Sequence, residues 1–175
     1  YYQFKLMENQ VLSEFKKHAI FRLNESQRMI HLALAKINEE QLWQLPVSNG
    51  LRLGNQLLHL CGNMTQYLIA SLGEKTDERK RDEEFTAAGG ADIRTLLTLF
   101  DNTVKQAINT IEEAPESAFI RIRKVQDFEF SGVGVVLHAV EHCSYHTGQI
   151  AFWVKQLTAA DLGFYDQHDL NRLNE

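Results

Sequence analysis

HAVEHCSYHTGQ, residues 138–149, places His138, His142 and His146 at four-residue intervals with Glu141 among them. Four-residue steps keep side chains on one face of a helix. At about 100° per residue, His138 and His146 project about 40° to either side of His142, and Gln149 about 20° from it. Val135 and Trp153 fall within the same sector, so the histidine stripe runs into large apolar residues at both ends. Ser144, Thr147, Ala151 and Lys155 fall on the opposite side. The histidines therefore face inward, where an imidazole needs hydrogen-bond partners or a metal. At 1.5 Å rise per residue, His142 and His146 are about 6 Å apart along the axis and can share one ion, whereas His138 and His146 are about 12 Å apart. A third ligand must come from another helix. His138 is better placed to orient a ligand or to face a substrate.

Working outward, the same helix spans residues 132–158. Before it, residues 119–130 change period: Phe119, Arg121, Arg123 and Val125, then Phe128 and Phe130, predict two short strands or one hairpin. A helix from the N-cap Asp92 to the residue before Pro115 carries a stripe of Ile93, Leu96, Leu97, Phe100, Val104, Ile108 and Ile111. Residues 55–72 predict another, closed at Gly73. Residues 3–37 predict the first, with Phe4, Met7, Val11, Phe15, Ile30, Leu34 and Ile37 inward. Asn38 and Gln41 then form a capping box opening a short helix through Trp43. The charge run EKTDERKRDEE (74–84) reads as a solvated loop, and the last fifteen residues as a tail packed on the surface. Four long helices predict an all-α, four-helix bundle as a single domain over 1–175, with a long crossover-type connection and a short β-hairpin before the last helix.

Composition narrows the function. With 175 residues and 44% apolar content, a core can form without disulfides. A net charge of −5 without a basic stripe argues against nucleic acid and acidic membranes as partners. The uncharged run 53–73 contains Asn55, Gln56, His59, Asn63 and Gln66, too polar for a membrane span. Cys61 and Cys143 read as free, buried, inert thiols, and with no apparent signal peptide a cytoplasmic location is expected.

Other histidines stand at 18, 31, 59 and 168. His59 shares a helix face with Asn55, Asn63 and Gln66, opposite Leu57, Leu60, Met64 and Leu68. Taken alone, that face reads as solvent-exposed; the alternative is a polar seam lining an internal cleft. HAVEH also matches the H-x-x-E-H peptidase signature, with Glu141 as general base. The shortness of the match and the projection of Glu141 about 100° away from His142 weigh against it. No G-x-S-x-G, phosphate-binding glycine loop or CxxC pair occurs.

LRLGNQLLHLCGNMTQYL (51–68), RDEEF (81–85) and LHAVEHCSYHTGQIAFW (137–153) together resemble the DinB-like four-helix-bundle superfamily over nearly the whole chain. The resemblance maps the family's metal triad onto His59, His142 and His146; Thr147 stands where a basic residue is common. It implies a divalent-metal-dependent enzyme, most plausibly a thiol S-transferase using a low-molecular-weight thiol and a small-molecule substrate, and a homodimer. Imidazole suits zinc, nickel, copper and iron alike; zinc or nickel is the expected occupant. His138, Gln149, Tyr145 and Asn63 are the candidates for positioning substrate, and no general base is assigned. The alternatives are a non-catalytic metal-binding or stress-response bundle, a metal-dependent hydrolase, or a packed bundle without metal.

Overall fold

The computed structural model describes residues 2–48 and 50–174, with side chains from residue 10 onward. Among them, four long helices form the bundle: α1 (Tyr2–Leu34), α3 (Leu53–Met64), α5 (Ile93–Glu113) and α7 (Gly132–Thr158). Helix α3 continues as a π-helical segment, Thr65–Leu72. Short helices α2 (Glu39–Leu42), α4 (Arg81–Thr86) and α6 (Glu116–Ile120) decorate the connections. Strands β1 (Ile122–Val125) and β2 (Phe128–Ser131) pair antiparallel, Val125 opposite Phe128, across a two-residue turn. Gln126 takes φ 55° in that turn.

Helix α1 packs on α5 and α7, and α3 also packs on α5 and α7. Going round the bundle, the order is therefore α1, α5, α3, α7. Helices α1 and α3 are diagonal, and so are α5 and α7. The α5–α7 connection, carrying α6 and the hairpin, crosses the end of the bundle as the sequence predicts.

The helix limits have local causes. Asn38 and Gln41 exchange the two hydrogen bonds of a capping box. Asp92 accepts from the Thr95 N–H at 2.7 Å, and Glu39 accepts from the Ile93 N–H. Lys16 donates to the carbonyls of Glu112 and Ala114 and so satisfies the end of α5. Gly73 ends the π-helical segment at φ −82°. A glycine is needed there for space rather than for dihedral freedom, since a Cβ would lie 2.6 Å from the Ile69 carbonyl. Ser131 caps α7, and Gly132 admits the Ala118 carbonyl of α6 at 2.2 Å from where a Cβ would stand.

The core is built from Leu23, Ile30 and Leu34 of α1, Leu57, Leu60 and Met64 of α3, Phe100, Val104 and Ile111 of α5, and Val135, Ala139, Ile150 and Val154 of α7. Several expectations change. The side chains of Phe4 and Met7 lie outside the described residues. Val11 is 72% exposed rather than inward. Phe119 belongs to α6, not to a strand, and meets Phe15 edge-on at 6.1 Å. Thr147 and Ala151 are buried, since that side of α7 packs on α1. In the tail, Leu162 is buried and Phe164 packs on the core, whereas Tyr165 is largely exposed. No helix among the described residues is long and apolar enough to cross a membrane.

Candidate metal centre

His142 and His146 stand on α7, one turn apart, and face α3. His59 stands on α3 and faces them. The three imidazoles each offer a nitrogen, and these nitrogens lie within 4.8 Å of one another. Ring centroids are 4.8 Å apart for His59–His142, 5.0 Å for His59–His146 and 4.6 Å for His142–His146. His59 is 7% exposed and His146 6%. The reading of His59 as solvent-facing is thus overturned. Ten of the twelve α3 residues are buried, because α5 and α7 cover two sides and α4 covers the third. The polar face of α3 is the seam of the cleft.

The covering segment was also misread. The run 74–84 is not a solvated loop throughout: Glu84 is 9% exposed at its side chain and Arg79 only 3%. Arg79 grips Glu84 through two hydrogen bonds, Nε to Oε1 and Nη2 to Oε2, both 2.7 Å. Glu84 Oε2 lies 2.9 Å from His59 Nδ1. Burial pushes the Glu84 carboxyl upward, but the hydrogen bonds from Arg79 and His59 outweigh it and leave it below the usual carboxylate range. An ionised carboxylate only accepts. Glu84 therefore calls for a proton on His59 Nδ1, the tautomer that leaves Nε2 facing the cleft, as in metal-ligating histidines with a carboxylate partner. Asn55, fully buried, anchors α4 from below by donating to the carbonyls of Glu84 (2.9 Å) and Ala87 (2.7 Å). Gly62 leaves the room: a Cβ there would lie 1.9 Å from Glu84 Oε1.

The other ligands are prepared differently. His146 Nδ1 faces Gln56 Oε1 at 3.4 Å. Burial, with the positive charge of neighbouring histidines, lowers His142 to about 3 and His146 to about 4. Both are neutral at pH 7 and keep lone pairs for a cation. His59 Nε2 and His142 Nε2 lie 3.0 Å apart, while buried His142 Nδ1 has no hydrogen-bond partner. Facing imidazole nitrogens from α3 and α7, two of them on neutral rings, fit a divalent cation well.

A profile of the family described as protein of unknown function DUF1572 matches residues 10–165. The chain belongs to this family. The fold is similar to that of a conserved protein from Enterococcus faecalis, with TM-score 0.69 and 11% identity over 83% of this chain and 97% of that one. It is also similar to a DinB-like protein, YjoA, from Bacillus subtilis, with TM-score 0.60 and 13% identity over 82% and 91%. No curated protein matches the sequence.

In this DUF1572 chain the remaining candidates fall unevenly. His138 does not join the three. It stacks on Tyr67 (4.1 Å, 22°), lies 5.7 Å from the Phe130 and His142 rings, and has Asn63 Nδ2 3.4 Å from its Nε2. Asn63 is buried with its Oδ1 unpartnered. The hairpin completes this wall: Phe130 packs on Tyr67, and Gln126 accepts from the Tyr67 hydroxyl. Gln149 lies near His146 and acts to raise its pKa, against the larger lowering by burial. Tyr145 is 63% exposed and touches His146 edge-on at 5.2 Å. Glu141 is exposed and is not part of the three-histidine group. His31 pairs with Asp101 at 2.7 Å and His18 with Glu14 at 3.3 Å, both away from the centre. Cys61 and Cys143 are buried and, chiefly through burial, pushed up to about 12 and about 11, so neither is a thiolate.

Proposed function

We propose that His59, His142 and His146 hold a divalent cation, zinc or nickel, and that the centre carries out metal-dependent S-transfer between a low-molecular-weight thiol and a small electrophile. The observation that carries the reading is the convergence of three imidazoles, one of them oriented by a buried carboxylate, in a DinB-like bundle. Three protein ligands leave a coordination position for a substrate, as catalytic sites require. A divalent cation held by His59, His142 and His146 would supply the acidity that leaves a bound thiol as thiolate at neutral pH, its proton passing to solvent. The sulfur then forms a bond to the electrophile's carbon as the leaving group departs with the bonding pair.

The chain's own groups provide orientation. Asn63 Oδ1 can accept a hydrogen bond from a polar group of the thiol, and the Tyr67–His138–Phe130 wall supplies flat apolar surface beside the ligands. Tyr145 and Gln149 flank His146 on the other side. The exposed apolar residues Leu137, Tyr145 and Phe152 of α7 support the expected homodimer, which sedimentation equilibrium tests.

The metal-loaded protein is to be incubated with glutathione, bacillithiol or mycothiol and an alkylating electrophile. Conjugate is expected with one of these thiols, and not with His142→Ala. No turnover with any thiol rejects the transferase reading and leaves metal binding to be judged by metal content.

A further inference from the structure

Arg79 presents a puzzle for a cation site. Its guanidinium is buried, and its Nη2 lies 3.2 Å from His59 Nδ1, the same nitrogen that Glu84 Oε2 approaches at 2.9 Å. Arginine only donates, and it stays charged. Two neighbours thus compete for one nitrogen with opposite demands. The carboxylate requires a proton on Nδ1, whereas the guanidinium would take the Nδ1 lone pair and drive the proton to Nε2. A proton on Nε2 would occupy the lone pair that faces His142 and His146.

Resting on the proposed metal site, we propose that Glu84 is a positioning residue that selects the metal-binding tautomer of His59 and shields that ring from Arg79. The Arg79–Glu84 pair carries no net charge, so its effect on a cation is orientation rather than attraction. Arg79 fixes Glu84 at both oxygens and is itself held by Gln66 Oε1 at 2.9 Å; Gln66 in turn donates to Asp77 at 2.6 Å. Asn55 fixes the backbone carrying Glu84, and Gly62 keeps its path open. Remove Glu84 alone, and Arg79 becomes an inhibitor of the site.

This account makes an unusual demand of a double variant. Glu84→Ala should weaken zinc binding at least as much as loss of an outer hydrogen-bond partner usually does, about 10–100-fold. Arg79→Met combined with Glu84→Ala should bind zinc more tightly than Glu84→Ala alone, although it has lost one more polar group.

The test has two readouts. Zinc affinity is measured by chelator competition on protein whose helicity matches wild type. The His59 tautomer is read from imidazole ¹⁵N shifts in metal-free protein: Nδ1–H is expected in wild type and Nε2–H in Glu84→Ala. The tautomer separates this role from a merely structural one, because relief of a buried unpaired charge would restore folding in the double variant without any tautomer change. A wild-type His59 protonated at Nε2, an unchanged tautomer in Glu84→Ala, or a double variant no tighter than the single one would overturn the proposal. A wild type with the Nδ1–H tautomer that binds no zinc would instead reject the metal reading and leave the tautomer selection intact.

Discussion

Gly62 shows how one missing side chain shapes the centre. It stands three residues after His59, on the polar face of α3, where glycine costs a helix about 1 kcal/mol relative to alanine. Gly62→Ala should therefore stabilise an exposed helix but damage this one. The added Cβ would sit 1.9 Å from Glu84 Oε1 and 2.9 Å from Arg79 Nε. We expect destabilisation of about 1–3 kcal/mol, the usual range for overpacking, read as a lower urea midpoint, together with weaker zinc binding; an unchanged midpoint and affinity would show that the clasp yields freely. The ligands make a pH prediction. His142 and His146 lie at about 3 and about 4 in the fold, against about 6.5 unfolded. Between those limits the unfolded chain binds more protons, so stability of the metal-free protein is full above about pH 6.5 and falls as pH drops towards 4. Urea midpoints from pH 7.5 to 4.5 check this, and the slope should flatten in His142→Gln/His146→Gln. The His142–His146 pair was legible from spacing alone, as was the exclusion of His138. Arg79 and Glu84 were not, because a run of eleven mostly charged residues offers no periodicity to mark which ones turn inward. The signal available was indirect: a helix-interior glycine beside a lone histidine on an uncharged helix.

At the scale of elements, α4 acts through its backbone as much as its side chains. Asn55 uses its amide fully, accepting from the Arg52 N–H at 3.2 Å and donating to two carbonyls at the end of α4. Asn55→Ala should cost about 1–3 kcal/mol, since buried carbonyls lose their donor. Hydrogen exchange should quicken in residues 81–87 while α5 and α7 stay protected; uniform quickening across the bundle would contradict a local anchor. The four long helices and both caps of the α2 and α5 starts were readable because periodicity and capping are local. Polar periodicity on α3 misled for a physical reason: it distinguishes polar from apolar faces, not water from a polar cleft. The π-helical turn over Thr65–Leu72 and the helical state of Phe119 had no local sequence signal, and both depend on packing against α5, α7 and α1.

For the whole molecule, the arrangement round the bundle builds the candidate centre. Placing α3 beside α7, and α1 diagonal to α3, brings His59 against His142 across 83 residues of chain. Number and approximate length of the four long helices were in the sequence pattern; their order round the axis was not, since any of several neighbours could cover a given apolar stripe. The DinB-like resemblance supplied that pairing. On the proposed reading the metal adds to the fold's stability, because a cation that binds only the native state stabilises it by about 2.7 kcal/mol at a hundredfold excess over Kd. The central claim is that α3 and α7 together hold one ion. Elemental analysis after dialysis against zinc and then metal-free buffer tests it most directly. The account predicts about one ion per chain in wild type and very little in His142→Ala. Equal and negligible metal in both would contradict it.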